Sequence, residues 1–347
     1  MTQAADSNQP IELVLFGAGR WGSHLMRNFL AHPHVKLRAV VEASEDRLKS
    51  LATTLDDSVE LISDWRAAMA LPELDACAIA TPAATHYDLI ETALKQNLHV
   101  LAEKPLTLET ASSQALCDLA KQQQRQLVID HTYLFHSAVT VGKDAIANLG
   151  PLRYGYSART HLGPVRRDVD ALWDLAIHDI SIFNHWLGES PIQVQAQGSS
   201  WLQPHITPPL SPQGLADVVW CRLQYPSGFQ ATLHQAWANH DKQRRLCIVG
   251  NDATLIFDEM NAQSPLTKQS GHFEENDGWF SLAGLETASI SVPPAEPLGT
   301  VCNHFVECVQ NNMRSPISSG EIGTGLVSVL VALSESMNQG GAWVPVL

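Results

Sequence analysis

Three short stretches of this sequence carry residue types at spacings that could do chemistry. In Trp173-Asp174-Leu-Ala-Ile-His178-Asp179 a carboxylate stands four residues before an imidazole. On a helix running to Leu187 the two share a face, so Asp174 could orient or polarise His178 while the ring meets a substrate hydroxyl. Asp179 points elsewhere and reads as structural. In Ala102-Glu103-Lys104-Pro105 a lysine closes an apolar strand. A partly desolvated amine beside another cation has its ammonium form disfavoured, which suits it to exchange protons near neutral pH. Alone, a lysine is usually a solvated surface group and a helical histidine usually structural; their joint occurrence makes them candidates.

The third stretch, Gly17-Ala-Gly19-Arg20-Trp21-Gly22, follows the apolar run Ile11 to Phe16 and opens a helical stretch to about Ala31. In GxGxxG the first glycine permits a tight turn, the second lets backbone approach a pyrophosphate, and the third lets the helix sit close to the strand. Free amides at the helix start can then hold the anion. The pattern alone is weak, but here a strand precedes it, a helix follows, and Glu42 ends the next strand. A carboxylate there accepts hydrogen bonds from adenosine ribose hydroxyls and repels a 2′-phosphate, so NAD is expected over NADP. Against this, Glu42 could merely begin a solvated loop, and Arg47 could help hold a phosphate.

The elements that must position these groups follow from periodicity. After Val35 to Val41 come a helix-like stretch, a buried strand at Leu74 to Ala80, helical spacing at Tyr87 to Lys95, a strand at Leu98 to Leu101, a helix at Leu108 to Gln123 and a strand at Leu127 to Asp130. Alternation at this spacing implies parallel strands joined by right-handed crossovers, a doubly wound α/β Rossmann domain. Its carboxyl edge, where such sheets bind ligands, receives Thr81, Pro82 and His86 as well as Glu103 and Lys104. Beyond residue 135 the texture changes. Leu152 to His161, Ile192 to Trp201, Ala216 to Tyr225 and Phe229 to Ala238 are strand-like, with Pro226-Ser-Gly228 a hairpin turn between the last two. Residues 261–300 read as loop, and helices close the chain at Cys302 to Gln310 and Ile322 to Met337. The expected organisation is a flexible tail over 1–10, an NAD-binding domain over 11–135, and an α+β domain over 136–347 whose large, mostly antiparallel open sheet binds substrate and forms oligomers, as a homodimer or homotetramer.

Composition removes other classes. A chain of 347 residues, 45% of them hydrophobic, can bury about two cores. The net charge of −14 speaks against a nucleic-acid or anionic-membrane partner. Six scattered cysteines without a CxxC pair indicate neither a metal site nor a disulfide framework, and they fit a reducing cytoplasm. The first ten residues lack the basic start and apolar core of a signal peptide, and no apolar run reaches the roughly 20 residues a bilayer span needs.

With these motifs in hand, the chain resembles the glucose-fructose oxidoreductase, inositol dehydrogenase and MocA family (Gfo/Idh/MocA) over nearly its whole length. The resemblance rests on Gly17 to Gly22, Thr81-Pro82 with His86, Glu103-Lys104-Pro105, Asp174 with His178, and His304-Phe-Val-Glu-Cys308. It implies a catalytic Lys104, a His178 that exchanges the hydroxyl proton, an assisting Asp174, and a Lys-Pro bond that is often cis. Ala83 departs from the asparagine many members carry after Thr-Pro. His86 and Glu103 are expected to shape the cofactor pocket, and Tyr133 to line the substrate site.

The implied reaction moves hydride between NAD and a secondary alcohol or ketone of a sugar, polyol or nucleotide sugar. The locally basic stretch carrying Arg159, His161, Arg166 and Arg167 could meet an anionic substrate, or be a solvated loop balanced by Asp168 and Asp170. Two alternatives stay open: a catalytically silent NAD-binding sensor, and a lyase or glycosidase-like enzyme that keeps NAD bound and returns the hydride.

Overall fold

The computed structural model describes residues 9–347, so most of the 1–10 tail lies outside the described residues. The chain divides into two compact units: one from the N-terminal side to Thr132 together with Glu296–Val327, the other Tyr133–Ala295 with Ser328–Leu347.

The first unit begins with β1 (Ile11–Phe16), α1 (Arg20–Ala31), β2 (Val35–Val41), α2 (Glu45–Ala52), β3 (Glu60–Ile62) and α3 (Trp65–Met69). It continues through β4 (Ala76–Ile79), α4 (His86–Lys95), β5 (His99–Glu103), α5 (Thr110–Gln122) and β6 (Leu127–Asp130). The sheet order is β3-β2-β1-β4-β5-β6, and every pairing is parallel. The order reverses between β1 and β4, leaving a crevice at their carboxyl ends. Apolar runs cover both faces: Leu13, Val14, Leu15, Ala78, Ile79 and Val100 are all fully buried. Helices α1 and α5 offer one apolar stripe each to this core, through Leu25 and Phe29 and through Leu116 and Ala120.

The second unit contains α6 (Ser137–Ala145), β7 (Leu152–Leu162), α7 (Ile177–Leu187), β8 (Gln193–Ser199), β9 (Val218–Gln224), β10 (Gln230–Ala236), β11 (Ala238–Gly250), β12 (Ala253–Asp258), β13 (Leu266–Asn276) and β14 (Trp279–Ser289). Helix α8 (Pro297–Gln310) belongs to the first unit, α9 (Gly320–Asn338) runs through the division at Val327, and β15 (Val344–Pro345) ends the chain. The nine strands are ordered β14-β13-β12-β11-β7-β10-β9-β8-β15, with β7 and β10 the parallel exception in an otherwise antiparallel sheet. Alternation along β7 sends Gly155, Ser157 and Arg159 inward under α7 and leaves Tyr154 and Tyr156 exposed on the other face. On that outer face Trp220 stacks on His234 at 3.8 Å.

Two details differ from the sequence reading. Within residues 261–300, read as loop, α8 already begins at Pro297, and β13 and β14 form a long hairpin over Leu266–Asn276 and Trp279–Ser289. Beyond Ser270 nearly all its side chains are exposed, Phe273, Trp279 and Leu285 included, so no buried face wrote a period-two pattern into the sequence. The stretch before α7 is a π-helical turn over Leu172–Ala176, so Asp174 and His178 lie on successive kinds of helical turn.

Candidate active site

The glycine turn fits a dinucleotide on its own geometry. Gly17 has φ +89°, and a Cβ there would come within 2.6 Å of the Ala80 carbonyl oxygen. At Gly22 a Cβ would lie 1.9 Å from the Gly17 carbonyl oxygen, so only glycine lets α1 pack this closely. Gly19 is different: a Cβ would meet nothing nearer than the Arg47 guanidinium at 3.8 Å, so the absent side chain leaves open space. Gly19 is also the N-cap of α1, with no side-chain cap, so the first-turn amides remain for an anion. Arg20 and Trp21 begin that helix at its exposed end.

Glu42, 7% exposed, closes β2. Its Oε2 accepts from the Ala18 amide at 3.1 Å, its Oε1 from the Ser44 amide at 2.9 Å, and Arg47 stands 3.5 Å from Oε2. Burial disfavours its charge, but the two amides and Arg47 outweigh that and hold the carboxyl below its ordinary range. It is an anion at the edge of the glycine turn, and Oε1, which accepts once, can accept once more.

The carboxyl ends of β4 and β5 are tied together by His86, which is 1% exposed. Its Nε2 lies 2.9 Å from the Thr81 carbonyl oxygen and its Nδ1 2.8 Å from that of Pro105. Pro82 precedes a single 3-10 turn over Ala83–Thr85, closed by the Thr85 hydroxyl on Pro82 O at 2.8 Å. Lys104, 8% exposed, ends β5, and the Lys104–Pro105 peptide is cis. Glu103 is the register partner of Asp130 on β6, and both are buried. Burial, then the neighbouring Asp130, pushes the Glu103 carboxyl well above the usual carboxylate range. His131 gives Nδ1–H to Ser318 Oγ at 2.7 Å, since Ser318 spends its own proton on the Ile129 carbonyl at 2.6 Å. Burial, then Lys104, takes the His131 pKa down to about 3, so that ring is neutral.

In the second unit, Asp174 accepts from Trp237 Nε1 at 3.2 Å and from Arg166 at 3.3 Å, and Arg166 is further paired with Asp168. The basic stretch therefore divides. Arg159, 2% exposed, places Nε and Nη2 on Asp179 Oδ1 at 3.0 and 2.7 Å, while Ser157 and Gln235 donate to Oδ2. Breaking a buried ion pair from one side costs about 3–5 kcal/mol, so Arg159 is committed to Asp179 through Nε and Nη2, while its buried Nη1 has no hydrogen-bond partner. His161 is half-buried with Nδ1 unpartnered; burial, then Arg244, lowers its pKa. Arg167 is exposed.

Tyr133 sits beside His178, ring centroids 4.8 Å apart, with Arg159 4.2 Å over its ring. Arg244, Glu259 and Trp237 belong to these networks but escaped the sequence reading; they lie 111 and 126 residues from Tyr133 and 63 from Asp174, so no local spacing could signal them. Among the described residues no group of three or more His, Cys, Asp or Glu could hold a metal ion, and no helix is long and apolar enough to cross a membrane.

Residues 11–131 match the model of the oxidoreductase family with an NAD-binding Rossmann fold, and residues 153–256 match the GFO/IDH/MocA C-terminal domain. UDP-N-acetylglucosamine 3-dehydrogenase of Acidithiobacillus ferrooxidans is 31% identical over 192 residues, 55% of this chain and 58% of its own length. The solved structure of the enzyme of that name from the same organism superposes with a TM-score of 0.77 at 23% identity, covering 94% of this chain and 99% of that one. The scyllo-inositol 2-dehydrogenase (NAD(+)) of Bacillus subtilis is 22% identical over 351 residues, 95% of each chain. Levoglucosan dehydrogenase, solved with NADH and levoglucosan, has the same fold, with a TM-score of 0.81 at 19% identity over 98% of this chain and all of that one.

Proposed function

Since the chain belongs to the Gfo/Idh/MocA oxidoreductase family, whose N-terminal domain here is an NAD-binding Rossmann domain, we propose that it interconverts a secondary alcohol and a ketone on a sugar, polyol or nucleotide sugar. The observation that carries this reading is the glycine turn: open backbone at Gly19, uncapped amides on α1, and an anionic Glu42 beside them.

Bound NAD supplies the hydride chemistry. Gly17, Gly19, Arg20, Trp21 and Gly22 hold its phosphates, Glu42 accepts from the adenosine ribose in preference to a 2′-phosphate, and Thr81, Pro82, His86 and Glu103 shape the nicotinamide end. Lys104 and His178 exchange the proton on the substrate oxygen, and Asp174 steadies the approach to His178. Substrates bearing a phosphate or carboxylate fit the exposed Arg167 and the partly exposed Arg166, with His161 and Tyr133 deeper in the same unit. The outer sheet face with Tyr154, Tyr156 and Trp220 supports pairing of copies as a homodimer or homotetramer.

The deciding experiment incubates the protein with NAD or NADP and a panel of UDP-N-acetylglucosamine, uronates and inositols, following reduced nicotinamide by absorbance. Net reduction with NAD supports the dehydrogenase. Tight NAD binding without turnover would make the chain a sensor, and product without net reduction a lyase or glycosidase-like enzyme.

A further inference from the structure

Taking His178 as the group that moves the substrate proton, we propose that Tyr133 is its positioning residue, a wall against which the imidazole rests, locked by Arg244 and Glu259.

The Tyr133 hydroxyl has one proton, donated to Glu259 Oε2 at 2.6 Å. It accepts from Arg244 Nη1 at 2.6 Å, and Arg244 closes the triangle on Glu259 at 3.5 Å. Both of the strong contacts the phenol makes are thus to charged groups, the shorter and stronger class of hydrogen bond. Burial, the first cause, raises the Tyr133 pKa, so the hydroxyl keeps the proton it donates. A phenol gripped this way has little freedom about χ2, and its ring presents a fixed surface. The His178 ring meets that surface with centroids 4.8 Å apart and planes inclined by 56°, within the range of favourable tilted aromatic pairs.

Arg159 ties this wall to the helix that carries the histidine. Its guanidinium carbon lies 4.2 Å from the Tyr133 ring centroid, within cation–π range. The same guanidinium grips Asp179, the residue after His178 in the first turn of α7. One buried cation therefore fixes both the backbone next to His178 and the ring that His178 rests on. The hydroxyl of Tyr133 is spent on protein groups, which makes its ring, and not its polar tip, the part that acts.

The test compares Tyr133→Leu, which removes the wall, with Tyr133→Phe, which keeps the ring and drops the lock, and with Glu259→Gln, which loosens the lock from a partly exposed position. Two readouts are needed. In protein labelled with carbon-13 at histidine Cε1, the His178 resonance, identified by its loss in His178→Asn, should move to an averaged position in Tyr133→Leu. In Tyr133→Phe, which keeps the wall and loses the lock, it should move in the same direction by a smaller amount. With UDP-N-acetylglucosamine, uronates and inositols as substrates, kcat of Tyr133→Leu should fall about 10- to 100-fold with KM within about 3-fold, and Tyr133→Phe should recover most of the loss. An unmoved His178 resonance in Tyr133→Leu overturns the proposal, as does wild-type kcat in Tyr133→Leu when His178→Asn is inactive. Should Tyr133→Leu fail to fold, Glu259→Gln must broaden or shift the His178 resonance for the proposal to stand. Full activity in His178→Asn would instead remove the acid–base role of His178 and leave the NMR contact to be judged alone.

Discussion

His86 stands between two oxygens that can only accept: the Thr81 carbonyl, 2.9 Å from Nε2, and the Pro105 carbonyl, 2.8 Å from Nδ1. The buried ring therefore joins the Thr81-Pro82 turn to the residue after Lys104. His86→Leu, which removes the ring that both carbonyls meet, should lose about 2–4 kcal/mol of stability in urea denaturation. A denaturation curve unchanged from the wild type would contradict this bridging role.

Replacing Lys104 by Met preserves the length of the side chain and removes its amine. Turnover should fall by roughly 100-fold or more, the ordinary worth of a positioned acid or base, while NADH binding by fluorescence titration changes little. If turnover survives, the proton must travel by another group.

At Glu42 the expected effect is on choice of cofactor. Glu42→Ala should narrow the preference for NAD over NADP in kcat/KM, and because it strips the Ala18 and Ser44 amides of their acceptor, it should also lower the melting temperature. Unchanged discrimination between the two cofactors would take Glu42 out of the recognition scheme.

Asp170 gives a pH prediction with a definite sign. Burial, only partly offset by the Trp173 amide and the Ser211 hydroxyl, raises its pKa from 3.8 to about 6. The folded state thus binds this proton more tightly than the unfolded one, so the stabilisation is complete below the unfolded value and is lost as pH rises towards 6. Across that window the wild type should lose about 3 kcal/mol that Asp170→Asn does not lose, measured by urea denaturation at pH 4 and pH 7. Parallel pH profiles in the two proteins would show that Asp170 titrates normally.

The cofactor half was legible from sequence because its information is local. Gly17, Gly19 and Gly22 act within six residues, Glu42 ends the very next strand, and strands buried on both faces write themselves as unbroken apolar runs such as Ile11–Phe16. Those features indicate a parallel, doubly wound sheet; the short strand Glu60–Ile62 and the order β3-β2-β1-β4-β5-β6 emerge only in the structure. The hairpin β13–β14 was illegible for the converse reason: strands exposed on both sides are under no burial constraint, and their Ser, Gly and Glu look like loop.

Only tertiary structure could decide the fate of the charges. Arg159 and Arg166 look alike in a basic run, but the register of β7 turns Arg159 inward onto Asp179, whereas Arg166 stays near the surface between Asp168 and Asp174. Tyr133 finds Glu259 from 126 positions away, and a π-helical turn carries Asp174 where the spacing alone reads as regular helix. Backbone conformation is governed by neighbours a few residues apart, and a sequence shows them; a buried charge is governed by whichever opposite charge the fold delivers to it, and no spacing along the chain encodes that.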